Sequence, residues 1–378
     1  MSSCDKSTKI KFAFLLLTDI HIMGTIKFVF SDIESSYKNS DIYVSDEIID
    51  SKRKIELLSK SNAFCHVYKV KASLITELQN KSMLAFRLNN VCATLNKNSF
   101  GKYIEKKNKN TKYNILVITS DTVLNIAFVR YYGHEKLYYL EDGVGSYFGN
   151  VRKMTTSHSR DLVLKVLGAK EEPMAMYLNC PDIYTGDLTN IICAIPNEDN
   201  KVINDFIDKL YDARSDVNYD PMNVIYLDQP LSIIKNITRG KETEENILSL
   251  LYDEFQNDLL IRKHPKTVGN RDHLSKKIQY DNFGGQWETA CVRKLHDTNI
   301  LVGFHSTALI SPKLISNKEP YVVFLYKLFG FKGEEKLDTF VCKISNMYKD
   351  KKKVFVPETI DELVRVLHVI ESRRKVQR

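Results

Sequence analysis

Short apolar or β-branched runs alternate with longer amphipathic stretches in the first half of the chain. The predicted strands are residues 11–17, 41–44, 66–70, 113–119 and 136–141, with a later candidate at 190–196. The predicted helices between them are residues 46–60, 74–96 and 121–131. Because strands alternate with helices, the pattern indicates βαβ units and a largely parallel sheet.

The same alternation begins again in the second half. Its predicted strands are residues 223–228, 258–263, 299–304 and 320–325, and its predicted helices are 244–256, 286–296, 306–316 and 359–373. The polar, proline-containing stretch 211–223 separates the two halves and is our predicted hinge. We therefore expect two α/β domains, residues 1–212 and 213–378, with packing of the last helix back on the first domain left open.

Composition is typical of a folded protein without membrane spans. The 378-residue chain is 43% hydrophobic and 27% charged, and no segment reaches the roughly 18–20 consecutive apolar residues needed to cross a bilayer. The first apolar run lacks a small-residue cleavage site, which argues against a secretory signal. The seven cysteines are scattered, so neither a zinc site nor a disulfide framework is expected. These features predict a cytoplasmic protein.

The net charge of +8 is concentrated in basic runs at 102–112, 349–353 and the C-terminus. Such runs form solvated surfaces, or they attract an anionic substrate or surface. No pattern typical of nucleic-acid binding accompanies them, so we expect no nucleic-acid partner. Peripheral contact with the inner face of an anionic inner membrane stays open as an alternative.

Acids and glycine end one predicted strand of the first half. Glu141, Asp142 and Gly143 directly follow the run "KLYYL". In doubly wound domains, ligands bind at the carboxyl ends of the strands, and between two such domains in the cleft. An acid in this position acts as a general base when it reaches an acceptor hydroxyl. The alternative is a β-turn whose acids cap the next helix.

Reactive residue types also end strands of the second half. His264-Pro265 follows "LLIRK", and its imidazole suits a phosphate ligand or leaving group. Ser306-Thr307 follows "NILVGFH" and opens a predicted helix, whose N-terminus suits phosphate. The alternatives are an ordinary strand-end histidine and simple N-capping by Ser306.

Two weaker candidates for nucleoside contact come from the second half. Asp228, Gln229 and Pro230 follow another predicted strand. Trp287 and Glu288 lie at the start of a predicted helix. The tryptophan is a base-stacking platform or a core residue, and the acid accepts from ribose hydroxyls or lies on an exposed helix face.

In their order along the chain, these motifs resemble the bacterial sialyltransferases of the GT-B fold. The resemblance rests on an acid-acid-glycine motif at 141–143, a His-Pro motif at 264–265 and a Ser-Thr motif at 306–307. The surrounding sequence is most similar to glycosyltransferase family 52, the lipooligosaccharide sialyltransferases, with the polysialyltransferases of family 38 a close second. Family 52 members often carry Thr-Pro or Ser-Pro after the first strand. This chain has Thr18, Asp19 and His21 there, which suggests a different acceptor pocket.

The resemblance implies two Rossmann-like domains facing each other across a cleft, an acceptor-side domain in 1–212 and a nucleotide-sugar domain in 213–378. It implies inverting transfer of sialic acid from CMP-sialic acid to a hydroxyl of a bacterial cell-surface glycan, such as lipooligosaccharide, O-antigen or capsule. Neither a metal nor another cofactor is expected.

The resemblance also assigns residue roles. Glu141 would be the base, and His264 would stabilise or protonate the departing phosphate, which Ser306 and Thr307 would hold. Asp142 would orient its loop. The residues expected near the acceptor are Asp19, His21, Asp142 and Gly143.

Three alternatives remain from the sequence. The enzyme could elongate an existing sialic acid chain as a polysialyltransferase. It could use another nucleotide-activated sugar on the same fold. It could also be a non-catalytic glycan-binding or assembly component on the same scaffold, although the intact motifs argue against this last hypothesis.

Overall fold

The structure, a computed structural model, describes residues 10–30, 39–105, 111–120, 122–147, 173–185, 191–195, 201–211, 219–231, 237, 240–264, 278–281, 286–331 and 334–376. The chain divides into two compact units, Met1–Tyr211 and Asp212–Arg378. Most of the predicted hinge, residues 212–218, lies outside the described residues.

The first unit contains a seven-stranded parallel sheet. Its strands are β1 (Phe12–Leu16), β2 (Ser40–Ser45), β3 (His66–Val70), β4 (Ile115–Ile118), β5 (Lys136–Leu140), β6 (Ala175–Leu178) and β7 (Ile191–Ala194). They lie in the order β3-β2-β1-β4-β5-β6-β7. The helices are α1 (Asp19–Phe30), α2 (Ser51–Lys60), α3 (Ser73–Lys81), α4 (Met83–Leu95), α5 (Val123–Tyr131) and α6 (Lys201–Tyr211). Because all the strand pairs are parallel, the carboxyl ends share one edge.

The second unit contains a six-stranded parallel sheet. Its strands are β8 (Val224–Leu227), β9 (Leu259–Arg262), β10 (Gln279–Tyr280), β11 (Ile300–Gly303), β12 (Tyr321–Phe324) and β13 (Val354–Phe355), in the order β10-β9-β8-β11-β12-β13. The helices are α7 (Lys241–Phe255), α8 (Trp287–Arg293), α9 (Thr307–Ser316), α10 (Glu334–Met347) and α11 (Ile360–Val376). Helix α11 contacts this unit: Arg374 donates to the carbonyl of Pro221 at 3.1 Å.

The predicted helix 74–96 is two helices in the structure. Ser82 separates them in an extended conformation (φ −161°, ψ 119°), and its hydroxyl accepts from the N–H of Ala85 at 3.3 Å as the N-cap of α4. Serine is a favoured N-cap because its oxygen satisfies a free helical N–H. The break therefore has a local cause, the N-cap at Ser82, which the spacing of apolar residues does not indicate.

Helix α1 follows β1 and packs against the carboxyl end of β5. It begins three residues after β1 ends, and Gly24 allows a close approach to β5, since a Cβ there would lie 3.3 Å from a methyl of Leu140. The approach brings the first turns of α1 beside the carboxyl end of β5. No helix within the described ranges is both long and apolar enough to cross a membrane.

Candidate active site

Glu141 is a buried carboxylate held at the carboxyl end of β5. The residue is 3% exposed. Oε2 accepts three hydrogen bonds: from the Tyr147 hydroxyl at 2.5 Å, and from the backbone N–H and side-chain amide of Asn179 at 2.7 and 3.0 Å. Asn179 directly follows β6, the neighbour of β5, so the parallel pairing places these donors. Among the described residues these bonds all reach Oε2 and none reaches Oε1, so Oε1 is available to a substrate.

Burial sets the electrostatics of Glu141. Removal from water raises the pKa of this carboxyl, although the donors on Oε2 and the charge of Lys27 oppose the rise. Lys27 of α1 is itself buried, and burial lowers its pKa to about 8 while Glu141 opposes the fall. A carboxyl with a raised pKa is better matched to proton transfer near neutral pH than a solvated one.

Asp142, the next residue, is anchored by His21 of α1. The N–H of Leu17 donates to His21 Nδ1 at 3.1 Å, so the ring proton lies on Nε2, which donates to Asp142 Oδ1 at 2.7 Å. The imidazole is 1% exposed, whereas the Asp142 side chain is 37% exposed. Two residues expected near the acceptor are thus in contact, and the carboxylate of the pair is accessible to solvent.

The turn that follows is fixed by its backbone conformation and by hydrogen bonds to Ser146 and Thr185. Gly143 has a φ of 95°, which L-residues with a Cβ rarely adopt. The hydroxyl of Ser146 accepts from the N–H of Asp142 at 2.9 Å. The carbonyl of Tyr147 accepts from the N–H and hydroxyl of Thr185, both at 2.8 Å. The loops after β5 and β6 are therefore joined.

Asp19, the third residue expected near the acceptor, is engaged in an ion pair. Its Oδ1 accepts from Lys54 Nζ at 2.6 Å, and both side chains are buried. Burial raises the pKa of the Asp19 carboxyl, and the charge of Lys54 opposes the rise. This pair ties α1 to α2, which gives Asp19 a structural role in positioning α1.

In the second unit, the predicted residues Asp228, Gln229 and Ser306 share one edge. Asp228 and Gln229 follow β8, while Ser306 follows β11, which pairs with β8. Gln229 Oε1 accepts from the backbone N–H of His305 at 3.0 Å and joins the two loops. The His305 ring lies 4.4 Å from that of Phe304, and burial lowers the pKa of its imidazole.

Ser306 is the N-cap of α9. Its hydroxyl accepts from the N–H of Ala308 at 3.2 Å, and Thr307 is the first residue of the helix. The capping alternative is therefore present in the structure. It does not exclude an anion, because the positive end of the helix dipole favours negative charge at the same place. Gly303 brings this loop close to β8, since a Cβ there would lie 3.2 Å from the carbonyl oxygen of Leu227.

His264 lies two residues beyond the end of β9, the other neighbour of β8. The backbone N–H of Asp228, which is buried, donates to the carbonyl of Arg262 at 3.0 Å, so the loops after β8 and β9 start side by side. Pro230 is half-buried in the loop after β8. Pro265 of the His-Pro motif lies outside the described residues.

Trp287 is a buried residue beneath the start of α9. Its indole N–H donates to the carbonyl of Ala308 at 2.7 Å, and the guanidinium of Arg262 lies 5.3 Å from the ring centroid. The structure thus places Trp287 as support for the α9 N-terminus, with one face already covered. Glu288 follows it in the first turn of α8 and is half-buried.

Several functional candidates were missed by the sequence analysis. They are Tyr147, Asn179 and Lys27 around Glu141, and His305 beside Gln229. Asn179 was missed because β6 was not predicted. Lys27 was missed because the polar residues at 18–21 interrupt an apolar run that continues as α1. No three His, Cys, Asp or Glu side chains in the described part of the chain are grouped so as to hold a metal ion.

Comparison with known proteins supports a fold but no family. No protein-family model and no curated protein matches the chain. Among solved structures, TcCGT1 in complex with UDP is 11% identical with a TM-score of 0.51, covering 98% of this chain and 92% of that one. The glycotransferase of kitacinnamycin is 9% identical with a TM-score of 0.50, covering 95% and 90%.

A sialyltransferase from Photobacterium damsela is also similar, at 9% identity and a TM-score of 0.42, covering 92% of this chain and 81% of that one. At such identities, similarity establishes the fold alone. The predicted α/β, two-domain GT-B fold is confirmed by the two parallel sheets and by the similarity to TcCGT1 and the kitacinnamycin glycotransferase.

Proposed function

We propose that this protein is an inverting glycosyltransferase that moves a sugar from a nucleotide-activated donor to a hydroxyl of a glycan. The observation that carries the proposal is the setting of Glu141, a buried carboxylate at a strand end with one oxygen held by three donors. A carboxylate anchored in this way is oriented before the substrate arrives, which is the requirement for a general base.

In the proposed step, Oε1 of Glu141 accepts the proton of the acceptor hydroxyl. The acceptor oxygen forms a bond to the anomeric carbon, and the bond from that carbon to the donor phosphate breaks. The nucleotide leaves with the bonding electron pair. Asp142, held by His21 and accessible to solvent, binds hydroxyl groups of the acceptor.

The second unit would hold the departing phosphate. The N-terminus of α9, with Ser306 and Thr307, provides a positive dipole end, and His264 supplies an imidazole that donates to the phosphate. Gln229 fixes the loop before α9 through the N–H of His305, so the phosphate site is organised before the donor binds. The half-buried Pro230 and Glu288 are proposed to border the nucleoside.

CMP-sialic acid is the first candidate donor, because the order of the three motifs is that of the bacterial sialyltransferases. Sialic acid departs from a tertiary anomeric carbon, so its transition state carries oxocarbenium character and the leaving phosphate needs charge neutralisation more than a strong acid. The proposed acceptor is a bacterial cell-surface glycan. Peripheral contact with an anionic membrane surface is part of the proposal.

A donor and acceptor screen tests the function. The purified full-length protein would be incubated with CMP-sialic acid, UDP-sugars or ADP-sugars, with galactose-terminated or oligosialic acid acceptors. Nucleotide release and product mass would be measured. We expect acceptor-dependent release of CMP and a product with inverted anomeric configuration. Extension of oligosialic acid alone would select polymerisation, and turnover of UDP-sugars alone would select another donor.

Glu141→Gln and Glu244→Gln form a matched pair for this screen. Glu244 of α7 is also buried and accepts from a tyrosine hydroxyl, that of Tyr226, at 2.7 Å. Only the Glu141 variant should lose transfer. If a correctly folded wild type neither transfers nor hydrolyses any nucleotide sugar, the proposed function is wrong.

A further inference from the structure

Helix α4 presents an apolar face to solvent. Leu84, Leu88, Val91 and Leu95 are 68%, 58%, 52% and 50% exposed. The spacing of four, three and four residues aligns them in one stripe along the helix, because 3.6 residues make a turn. At about 1.5 Å per residue, the stripe runs for roughly 16 Å.

The opposite face of α4 carries polar residues and packs against the rest of the first unit. Asn89 donates to the hydroxyl of Tyr103 at 3.2 Å and accepts from Lys102 Nζ at 2.5 Å. Phe86 is half-buried on the same side. A surface helix normally buries its apolar face and exposes its amides. The orientation of α4 is the reverse, and the hydrogen bonds of Asn89 hold it there.

The exposed apolar residues are concentrated on this helix. Of the fourteen large apolar side chains that are exposed in the described part of the chain, five belong to α4. The fifth is Met83 at 52% exposure. Single exposed apolar residues are ordinary on protein surfaces, whereas a contiguous set marks an interaction site.

The chain along the stripe is basic. Between residues 81 and 98 the sequence has three cations, Lys81, Arg87 and Lys97, and no acid. Arg87 lies within α4, Lys81 precedes it and Lys97 follows it, and all three are exposed. Positive charge therefore accompanies the apolar stripe along α4 and at both of its ends.

We propose that α4 is a docking surface for a lipid bilayer that contains anionic phospholipids. Leucine and valine side chains enter the boundary between headgroups and acyl chains, while lysines and arginine attract the negative surface. A second copy of this chain is disfavoured as the occupant, because a symmetric contact would bring two like-charged basic segments together. This inference locates the membrane contact of the proposed function and does not depend on the transfer chemistry.

Vesicle co-sedimentation tests the surface. The full-length protein would be mixed with phosphatidylcholine vesicles that contain or lack phosphatidylglycerol. We expect binding to the anionic vesicles, weakened by salt. The Leu88→Glu/Val91→Glu variant should bind at least about tenfold more weakly, since two apolar anchors become anions. Arg87→Glu should weaken binding to anionic vesicles alone.

Ile49→Glu is the matched control, because Ile49 is 61% exposed in the same unit but away from α4 in sequence. It should bind like wild type, and circular dichroism would verify folding of every variant. Equal binding by the Leu88→Glu/Val91→Glu variant and wild type would overturn the proposal. Absence of binding to anionic vesicles by wild type would also overturn it, and self-association of wild type that this variant abolishes in analytical ultracentrifugation would then assign the stripe to a second copy of the chain.

A negative result in the membrane assay and a negative result in the transfer assay can be told apart. Activity toward a soluble acceptor should be unchanged in the Leu88→Glu/Val91→Glu variant, because α4 carries no residue of the proposed site. An inactive wild type that binds anionic vesicles would contradict the proposed function and leave the docking surface supported.

Discussion

His21 and Asp142, 121 residues apart in the chain, are joined by a hydrogen bond of 2.7 Å from Nε2 to Oδ1. The buried imidazole is fixed at its other nitrogen by the N–H of Leu17. Asp142 therefore has a defined orientation although its side chain reaches solvent. In the proposed enzyme, Asp142 binds the acceptor and the adjacent Glu141 accepts its proton. The hydrogen bond from His21 therefore orients the residue that recognises the acceptor.

The first prediction concerns this pair. Asp142→Ala should raise the KM for the acceptor about tenfold, the loss expected for one hydrogen bond to a charged group, and leave the KM for the donor unchanged. Asp142→Asn should be milder, because its amide oxygen still accepts from His21. Steady-state kinetics with both substrates varied would measure the difference. An equal effect on the donor KM would contradict the acceptor role.

The second prediction concerns turnover and Glu141. Glu141→Gln should lower kcat by about 10²–10⁴-fold, the usual contribution of a general base. The amide oxygen of glutamine can still accept from Tyr147 and Asn179, so nucleotide affinity measured by calorimetry should not change. Near-normal turnover in this variant would remove Glu141 as the base.

Glu141→Gln should also change the pH dependence of stability. The raised pKa of Glu141 means that the folded protein binds its proton more tightly than the unfolded chain. The free energy of unfolding of wild type should therefore fall as pH rises from the ordinary value of 4.5 through the folded-state pKa. Glutamine removes this loss. Urea unfolding at several pH values should show the variant gaining stability relative to wild type from acidic to neutral pH.

The third prediction uses the buried cation beside Glu141. Lys27→Met removes a charge that lowers the pKa of Glu141, so the acidic limb of the kcat/KM profile should move to higher pH. Because the pKa of Lys27 is about 8, the lysine of wild type loses its charge above that pH. The difference in kcat/KM between Lys27→Met and wild type should therefore narrow there. Lys27→Arg, which stays charged, is the control. A profile that does not move in Lys27→Met would exclude this electrostatic role.

The strand pattern of the chain predicts most of the fold because parallel strands buried on both faces are read directly from apolar runs. Runs such as "FAFLL" and "ILVG" become β1 and β11. Helix α1 was not predicted, because its buried residues include the polar His21 and Lys27, and their burial depends on Asp142 and Glu141 far along the chain.

The motifs of the sequence identify the residues at the strand ends but not their partners. Glu141 and Asp142 are adjacent in the chain, yet one is buried and the other accessible. Their difference arises from Asn179 after β6 and His21 in α1, which tertiary pairing supplies. Local sequence cannot report such partners, because neither hydrogen bond follows from spacing along the chain.

The fourth prediction concerns the packing beneath the proposed phosphate site of the second unit. Gly303→Ala places a methyl group 3.2 Å from the carbonyl oxygen of Leu227, a backbone atom of the paired strand β8. Overpacking of this kind costs about 1–3 kcal/mol in the free energy of unfolding. Nucleotide affinity should fall as well, because Gln229 and His305 lie just beyond the ends of β8 and β11. Gly133→Ala is the control, since no heavy atom of the described residues, apart from its two chain neighbours, lies within 4 Å of its added methyl.

The last prediction separates capping from phosphate binding at Ser306. Ser306→Ala removes the cap and should lower the free energy of unfolding by about 1 kcal/mol, whereas Ser306→Asp keeps a good cap and should leave it nearly unchanged. Donor affinity should show the opposite order. Aspartate places a negative charge at the α9 N-terminus, where the donor phosphate is proposed to bind, and should weaken nucleotide binding at least about tenfold. Alanine should weaken it less. If both variants bind nucleotide like wild type while alanine alone loses stability, Ser306 only caps the helix and the phosphate binds elsewhere.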